Sequence, residues 1–256
     1  MTVVSILESR DPMTPDRNPG AEDAEQEQAE HVRTQFLRRV AHDIASPAGV
    51  TMTVLDEIAN GDKPRPELLA MARRSLRRLM RLSEHLALVA ELESGELVPE
   101  LAAADLRALA SRGLDDALAI DGRKDVVVAA DLPAAPLLVA ADPRLLLVVF
   151  REIIGNALKL ASSRVELSVK AHEAHIIIRI EDDGPGFAAD SAATLGRRFV
   201  KRSSARGLGL SISMAMDILR SHGGTLTVEP SGLPPGRRGT AGAAVVLTLP
   251  ATSNDT

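Results

Sequence analysis

His175-Ile176-Ile177-Ile178-Arg179-Ile180-Glu181-Asp182-Asp183-Gly184-Pro185-Gly186-Phe187 is the stretch on which the fold of this chain turns. An apolar run of strand length ends in two carboxylates and a glycine-proline-glycine turn. A carboxylate at a strand end can accept a hydrogen bond from an exocyclic amino group, which would select adenine over guanine. Gly184 and Gly186 let the backbone turn sharply and come close to a ligand. A plain hairpin turn is the alternative for these residues taken alone. Further on, Gly207-Leu208-Gly209-Leu210 leads into a helix predicted to end at Ser221. Glycines before a helix N-terminus free N–H groups for phosphate, and the helix dipole adds to this. An ordinary loop-to-helix junction is the alternative there. Arg197, Arg198, Lys201, Arg202 and Arg206 crowd the segment between the two glycine motifs. That segment could fold over a nucleotide as a lid, with its cations near the β- and γ-phosphates, or simply carry surface charge.

Upstream, Pro143–Ala161 reads as a strongly apolar helix with Pro in its first turn. Glu152 and Asn156 are four apart and share a helix face, with Lys159 three further on. Asn156 can supply a neutral oxygen to Mg²⁺, and Glu152 can be a ligand or hydrogen-bond a metal-bound water. Lys159 can offset phosphate charge; a solvent-facing helix surface is the alternative for all three. Leu106–Ile120 reads as another helix. Strands are expected over Asp125–Ala130, Pro136–Val139, Val165–Lys170, His175–Glu181, Leu226–Glu229 and Ala243–Leu249. Helices laid against one antiparallel-rich sheet make an α+β sandwich.

The first third has a different texture. A helix is expected from near Glu30 to Asn60, with Val32, Phe36, Val40, Ile44, Ala48, Leu55 and Ile58 on its apolar stripe. Asn60-Gly61-Asp62-Lys63-Pro64-Arg65-Pro66 stops it. A second helix from about Glu67 to Glu93 carries Leu69, Ala72, Leu76, Leu79, Ser83, Leu86 and Ala90 on a seven-residue repeat, which suits an antiparallel hairpin. One hairpin leaves apolar seams exposed, and pairing with a second copy into a four-helix bundle would bury them. On the first helix, at about 100° per residue, His42 lies about 200° from Val40 and points to solvent. Asp43 follows it and can fix its tautomer so that the other nitrogen attacks phosphorus. Ser46 is one turn along the same face, where its hydroxyl could orient water, and Pro47 should bend the helix just past it. Arg73, Arg74, Arg77, Arg78 and Arg81 form a basic face on the second helix, read as solvated surface, with docking of an acidic partner as the minor alternative.

Composition narrows the function. Aromatics make up 2% of the 256 residues, with no Trp or Tyr, so base-stacking nucleic-acid recognition has almost nothing to work with. Residues 1–30 hold eight acids against two arginines, a net −6; with −5 for the whole chain, the rest is at +1 and offers no basic surface for DNA. No cysteine means no disulfide and no thiolate metal site. No apolar stretch approaches the roughly 20 residues of a membrane span, and Met1–Leu7 lacks the features of a signal peptide. The expectation is a cytoplasmic protein with no nucleic-acid partner and no membrane insertion.

Taken in order, these motifs resemble the two-component sensor histidine kinases. His42-Asp43-x-x-Ser46-Pro47 is similar to that family's H-box, and Glu152-x-x-x-Asn156-Ala157 with Lys159 to its N-box. Asp182-x-Gly184-x-Gly186 resembles the G1 box, Gly207-Leu208-Gly209-Leu210 the G2 box, and Phe199 the aromatic of the F-box. His222-Gly223-Gly224-Thr225 and Gly239-Thr240…Leu249-Pro250 fit the closing hairpin. The resemblance covers roughly residues 31–250. It implies a disordered acidic tail over 1–28 and a dimerising, phosphotransfer hairpin over 29–97. A Bergerat (GHKL) ATP-binding domain would follow over 98–251, then a short tail over 252–256. It further implies ATP and Mg²⁺ as cofactors and His42 as the phosphorylated residue. Asp43 would be general base and Ser46 would matter for dephosphorylation. Nucleotide contacts would come from Asn156, Lys159, Asp182, Gly184, Gly186, Phe199, Lys201, Arg202, Gly207, Leu208, Gly209 and Leu210. The metal would be held by Asn156 and Glu152. Implied partners are a response-regulator receiver domain, a second copy of this chain, and a separate sensor protein. Departures from the family pattern are Ser46 where Thr or Asn is usual, Asp183 for Asn, Gly196 for the first F-box Phe, and Ala205 for a glycine. The competing expectation is a dimeric phosphotransfer or docking scaffold with a weakened ATP site; an ATPase or serine kinase outside two-component signalling is a third.

Overall fold

The computed structural model describes residues 19–61, 63, 65–121, 123–187, 210–237 and 239–252, with side chains at 30, 31 and from 33 onward. Helix α1 spans Pro19–Ala59 and α2 spans Pro66–Ser94, packed as a hairpin. The sequence led us to expect α1 to begin near Glu30, but its backbone is helical from Pro19. The reason lies in composition: Ala21, Ala24, Gln26, Gln28 and Ala29 are good helix formers. Pro19 is pre-organised for a first turn. Pro47 sits inside α1 without ending it, and the Thr51 hydroxyl donates to the Pro47 carbonyl at 3.1 Å. At the other end of the hairpin, α2 closes on Gly95 in the left-handed region (φ 72°), whose N–H donates to the Glu91 carbonyl.

Leu37, Ile44, Met52, Leu55 and Ile58 of α1 and Leu69, Met71, Leu76 and Met80 of α2 remain exposed in the single chain. The apolar stripe expected from the sequence is therefore only partly covered by the hairpin itself. The opposite side of α2 is buried, through Arg81, His85, Leu88 and Val89, and faces the second half of the chain.

That half contains β1 (Ala102–Asp105), α3 (Leu106–Asp121), β2 (Val127–Asp131), β3 (Leu138–Ala141), α4 (Pro143–Leu160), β4 (Arg164–His172) and β5 (His175–Asp182). After residues 188–209 come α5 (Ser211–Ser221), β6 (Thr225–Pro230) and β7 (Ala243–Pro250). Five strands form a sheet in the order β2-β4-β5-β7-β6, antiparallel except for β2 with β4. The parallel pair follows from its connection, which crosses through β3 and α4. β1 pairs antiparallel with β3 in a separate ribbon that the sequence reading missed. Ala102-Ala103-Ala104 has little strand propensity; pairing and a backbone bond from Leu106 to the Leu137 carbonyl hold it.

One face of the sheet is dry. Val165, Leu167, Val169, Ile176, Ile178, Ile180, Leu247 and Leu249 meet Phe150, Ile153, Ile154 and Leu158 of α4 and Met214 and Ile218 of α5. His222, just past α5, ties the two helices together: its Nε2 accepts from the Asp142 N–H at 3.0 Å and its Nδ1 lies 2.7 Å from the Ile218 carbonyl. Asp142 in turn caps α4 by accepting from the Arg144 N–H at 2.9 Å.

Candidate nucleotide site and phosphoacceptor

Strand alternation sends Ile176, Ile178 and Ile180 into the helix-facing core, and the next position in that row is Asp182. Its carboxylate is 5% exposed and accepts backbone N–H bonds from Gly184 (2.8 Å) and Ala243. No cation pairs with it among the described residues. Burial, with the negative charge of Asp183 beside it, pushes its pKa up to about 6 against the pull of those two N–H groups. A buried, acceptor-only group of this kind favours a ligand that brings a neutral N–H donor.

The glycines beside it are forced by space. A Cβ on Gly184 would lie 2.5 Å from the Leu160 carbonyl oxygen and 2.6 Å from Asp182 Oδ1. Gly186 has φ +71°, and a Cβ there would collide with the Ala241 carbonyl. The turn therefore lies backbone to backbone against the end of α4 and the approach to β7. The Thr240 hydroxyl donates to the Gly184 carbonyl at 3.2 Å.

Asp183 does different work. Its Oδ1 accepts from the N–H groups of Ser162 (2.8 Å), Ser163 (2.9 Å) and Arg164 (3.0 Å), and its Oδ2 from the Ser163 hydroxyl (2.6 Å). Burial opposes its charge, but these donors win and lower its pKa. It staples the α4–β4 turn to the end of β5. Asp183→Ala strands those donors in a protein interior, and chemical denaturation should read a loss of about 2–4 kcal/mol. Asp183→Asn keeps an accepting oxygen and should lose less than half of that.

On α4, the expected common face divides. Asn156 is half-buried, Lys159 is exposed, and Glu152 is 5% exposed. Glu152 accepts from the Ser211 hydroxyl at 2.9 Å, and lies 3.0 Å from His85 Nε2 and 3.7 Å from Arg81 Nε. Burial alone would raise its pKa; His85, Arg81 and Lys159 together bring it down to about 2. Lys159 Nζ lies 3.3 Å from Asp121 Oδ2. The solvent-facing alternative for α4 thus fails at Glu152, and the solvated reading of the basic face of α2 fails at Arg81, which is 8% exposed. Arg81, His85 and Asp121 went unnoticed as site residues. The one signal for them was the i, i+4 spacing that puts Arg81 and His85 on one side of a charge-rich helix, since their partners are distant in sequence.

The described residues contain no cluster of three or more His, Cys, Asp or Glu able to hold a metal by themselves. A divalent ion here would need oxygens from elsewhere. That suits Mg²⁺, which usually keeps several waters and takes few protein ligands beside phosphate oxygens. The half-buried Asn156 carbonyl fits such a role; the Glu152 carboxylate fits only if its present partners let go.

His42 stands apart on α1, its side chain 79% exposed. Its Nδ1 lies 3.3 Å from Asp43 Oδ1, and the same oxygen lies 3.6 Å from Arg78 Nη2. Ser46 is exposed and, with Pro47, Arg74, Ser75, Arg78 and Asp121, lines a cleft of about 230 Å³ at the junction of α1, α2 and the end of α3. Leu210 is buried at the start of α5. Phe199, Lys201, Arg202, Gly207, Leu208 and Gly209 lie outside the described residues.

Residues 141–253 match the family described as histidine kinase-, DNA gyrase B- and HSP90-like ATPase. The signal transduction histidine-protein kinase AfsQ2 of Streptomyces coelicolor is 39% identical over 115 residues, 43% of this chain and 20% of that protein. The heme sensor protein HssS of Staphylococcus saprophyticus is 27% identical over 209 residues, 79% of this chain and 45% of that protein. Among solved structures, the Acinetobacter baumannii histidine kinase AdeS superposes with a TM-score of 0.56 at 20% identity, covering 83% of this chain and 98% of that one, a likeness of fold alone. The second half of the chain thus carries an ATPase-type domain. The chain is similar to these proteins named as a histidine kinase and a heme sensor, and it spans less than half the length of either curated relative. No helix among the described residues is long and apolar enough to cross a membrane.

Proposed function

We propose that this chain is an ATP-dependent protein histidine kinase that phosphorylates its own His42 and passes the phosphoryl group to an aspartate of a response-regulator receiver domain. The observation that carries this reading is the exposed His42 imidazole, Nδ1 turned to Asp43, on a hairpin joined to an ATPase-type domain. With the Nδ1 proton held by Asp43, Nε2 has a free lone pair and faces solvent. Nε2 forms the new bond to the γ-phosphorus, the bond from phosphorus to the β,γ-bridging oxygen breaks, and ADP leaves. Asp43 stabilises the charge that develops on the ring and accepts its proton. Receiver transfer then moves the phosphoryl from nitrogen to a carboxylate oxygen, and Ser46 would orient water for the separate hydrolysis of that aspartyl phosphate to the free carboxylate and inorganic phosphate.

Asp182 would read adenine by accepting from its amino group, the Gly184–Gly186 turn would press backbone against the purine, and Asn156 would help hold Mg²⁺. When bound, Mg²⁺ supplies charge neutralisation at the β- and γ-phosphates. Phe199, Lys201, Arg202, Gly207, Leu208, Gly209 and Leu210 would complete the phosphate side, and Lys159 would join them once released from Asp121. The exposed seam from Leu37 to Met80 supports a homodimer through residues 29–97, with the ATP-binding unit over 98–251. Arg74 and Arg78, beside the cleft near His42, suit an acidic receiver surface. A scaffold with a decayed ATP site would have no use for an uncompensated buried carboxylate at Asp182.

The test is phosphorylation of the full chain by labelled ATP and Mg²⁺. Asn156→Asp places a like charge beside the triphosphate and should cut labelling at least a hundredfold, on the scale of about 3 kcal/mol or more. Undiminished labelling in that variant would refute the site.

A further inference from the structure

The contact between hairpin and ATPase-type domain is made of charge. Arg81 Nη1 donates to Asp121 Oδ2 at 2.9 Å, Arg81 Nε and His85 Nε2 crowd Glu152 Oε1 at 3.7 and 3.0 Å, and Lys159 completes the cluster on Asp121. Gly155 makes room for it, since a Cβ there would lie 2.8 Å from Asp121 Oδ2. Arg151 to Glu84, at 3.0 Å, closes the rim. Arg81, His85 and Glu152 are all more than nine-tenths buried.

Such a cluster is a poor way to hold two units together permanently. Taking these ions out of water is expensive, and only good hydrogen-bond geometry offsets it. Here the geometry is incomplete: Arg81 Nε stands 3.7 Å from Glu152 Oε1, beyond hydrogen-bond length, and leaves that oxygen to His85 at 3.0 Å. Apolar residues would bind more tightly and release less readily. The cluster also takes up the one α4 carboxylate that lies a helical turn from Asn156.

We infer that Arg81 and His85 form an autoinhibitory plug, holding the ATPase-type domain docked on α2 through Glu152 until metal-bound ATP displaces them. This rests on the proposed ATP site. A divalent cation held by Asn156 would compete with the Arg81 guanidinium and the His85 imidazole for the Glu152 carboxylate, and the two sets of partners cannot share it. Release of α2 frees the domain to move relative to His42. Nucleotide without metal lacks the competing charge and leaves the plug in place.

Two readouts test this on the full chain. Hydrogen exchange of wild-type residues 81–89 should accelerate on adding ATP with Mg²⁺, and not with ATP plus chelator. Arg81→Gln/His85→Gln should bind Mg²⁺-ATP about tenfold more tightly than wild type, within the usual range of coupling between sites. The milder His85→Gln should fall between them, so that a folding failure in the double variant leaves the comparison intact. Equal or weaker binding in both variants, or unchanged exchange, overturns the plug while leaving the kinase reading standing. No ATP binding in any of the three proteins overturns both.

Discussion

Replacing His42 with alanine should abolish phosphoryl transfer from ATP to the chain while nucleotide affinity stays at the wild-type level. The two effects separate because the phosphoacceptor and the proposed pocket are built from different elements. His42 is an exposed side chain on α1 that makes no contact supporting the core. Its loss changes exposed surface alone, so stability should move by less than about 0.5 kcal/mol. Labelling, in contrast, should drop to background, because among the described residues of α1 no other nucleophile is paired with a carboxylate as His42 is with Asp43. Asp43→Asn, which keeps the shape and removes the charge, should retain binding and slow labelling by about 10²–10⁴-fold, the usual contribution of a positioned base. Parallel measurement of nucleotide titration and label incorporation checks both.

Asp182→Asn should abolish adenine-dependent nucleotide binding and leave a fold that is more stable than wild type near neutral pH. The carboxylate is buried without a cationic partner among the described residues, and its pKa is raised from 3.8 to about 6. Between those values the folded state holds more protons than the unfolded one, so stability falls as pH rises, by about 2–3 kcal/mol in total. Below about pH 4 both states are protonated and the penalty is absent; above about pH 6 it is complete. Asparagine can still accept from Gly184 but never carries the charge, so its advantage should open between pH 4 and 6 and then stay level. Urea melts of the two proteins across that range would detect it. ATP affinity of the wild type should weaken as pH drops through 6, because protonation removes the acceptor the amino group needs. A flat difference between the two proteins would mean that Asp182 is compensated in solution.

The sequence made periodic elements legible and left irregular ones hidden. Strand alternation through His175–Glu181 put Asp182 at the end of an inward row, and the glycines after it marked a turn whose tightness the structure accounts for. The heptad of α2 placed the seam now exposed at Leu69 and Leu76. β1 was invisible because three alanines carry no strand signal; a long-range pairing creates it. The start of α1 was missed because an acidic, proline-flanked segment resembles a tail even when its residues favour helix. Asp183 stood out only as a departure from a family pattern, whereas its role as a staple depends on three N–H groups some twenty residues upstream. Arg81 and His85 were hardest: a charge on a helix surface looks solvated until Asp121 and Glu152, 40 and 67 residues on from their respective partners, are brought against it.

The most direct test is the chemical nature of the phosphorus linkage. After incubation of the full chain with labelled ATP and Mg²⁺, the label should be released by acid, survive alkali, and reside on the peptide that contains His42. Label that survives acid, or that sits on a hydroxyl such as Ser46, would contradict it.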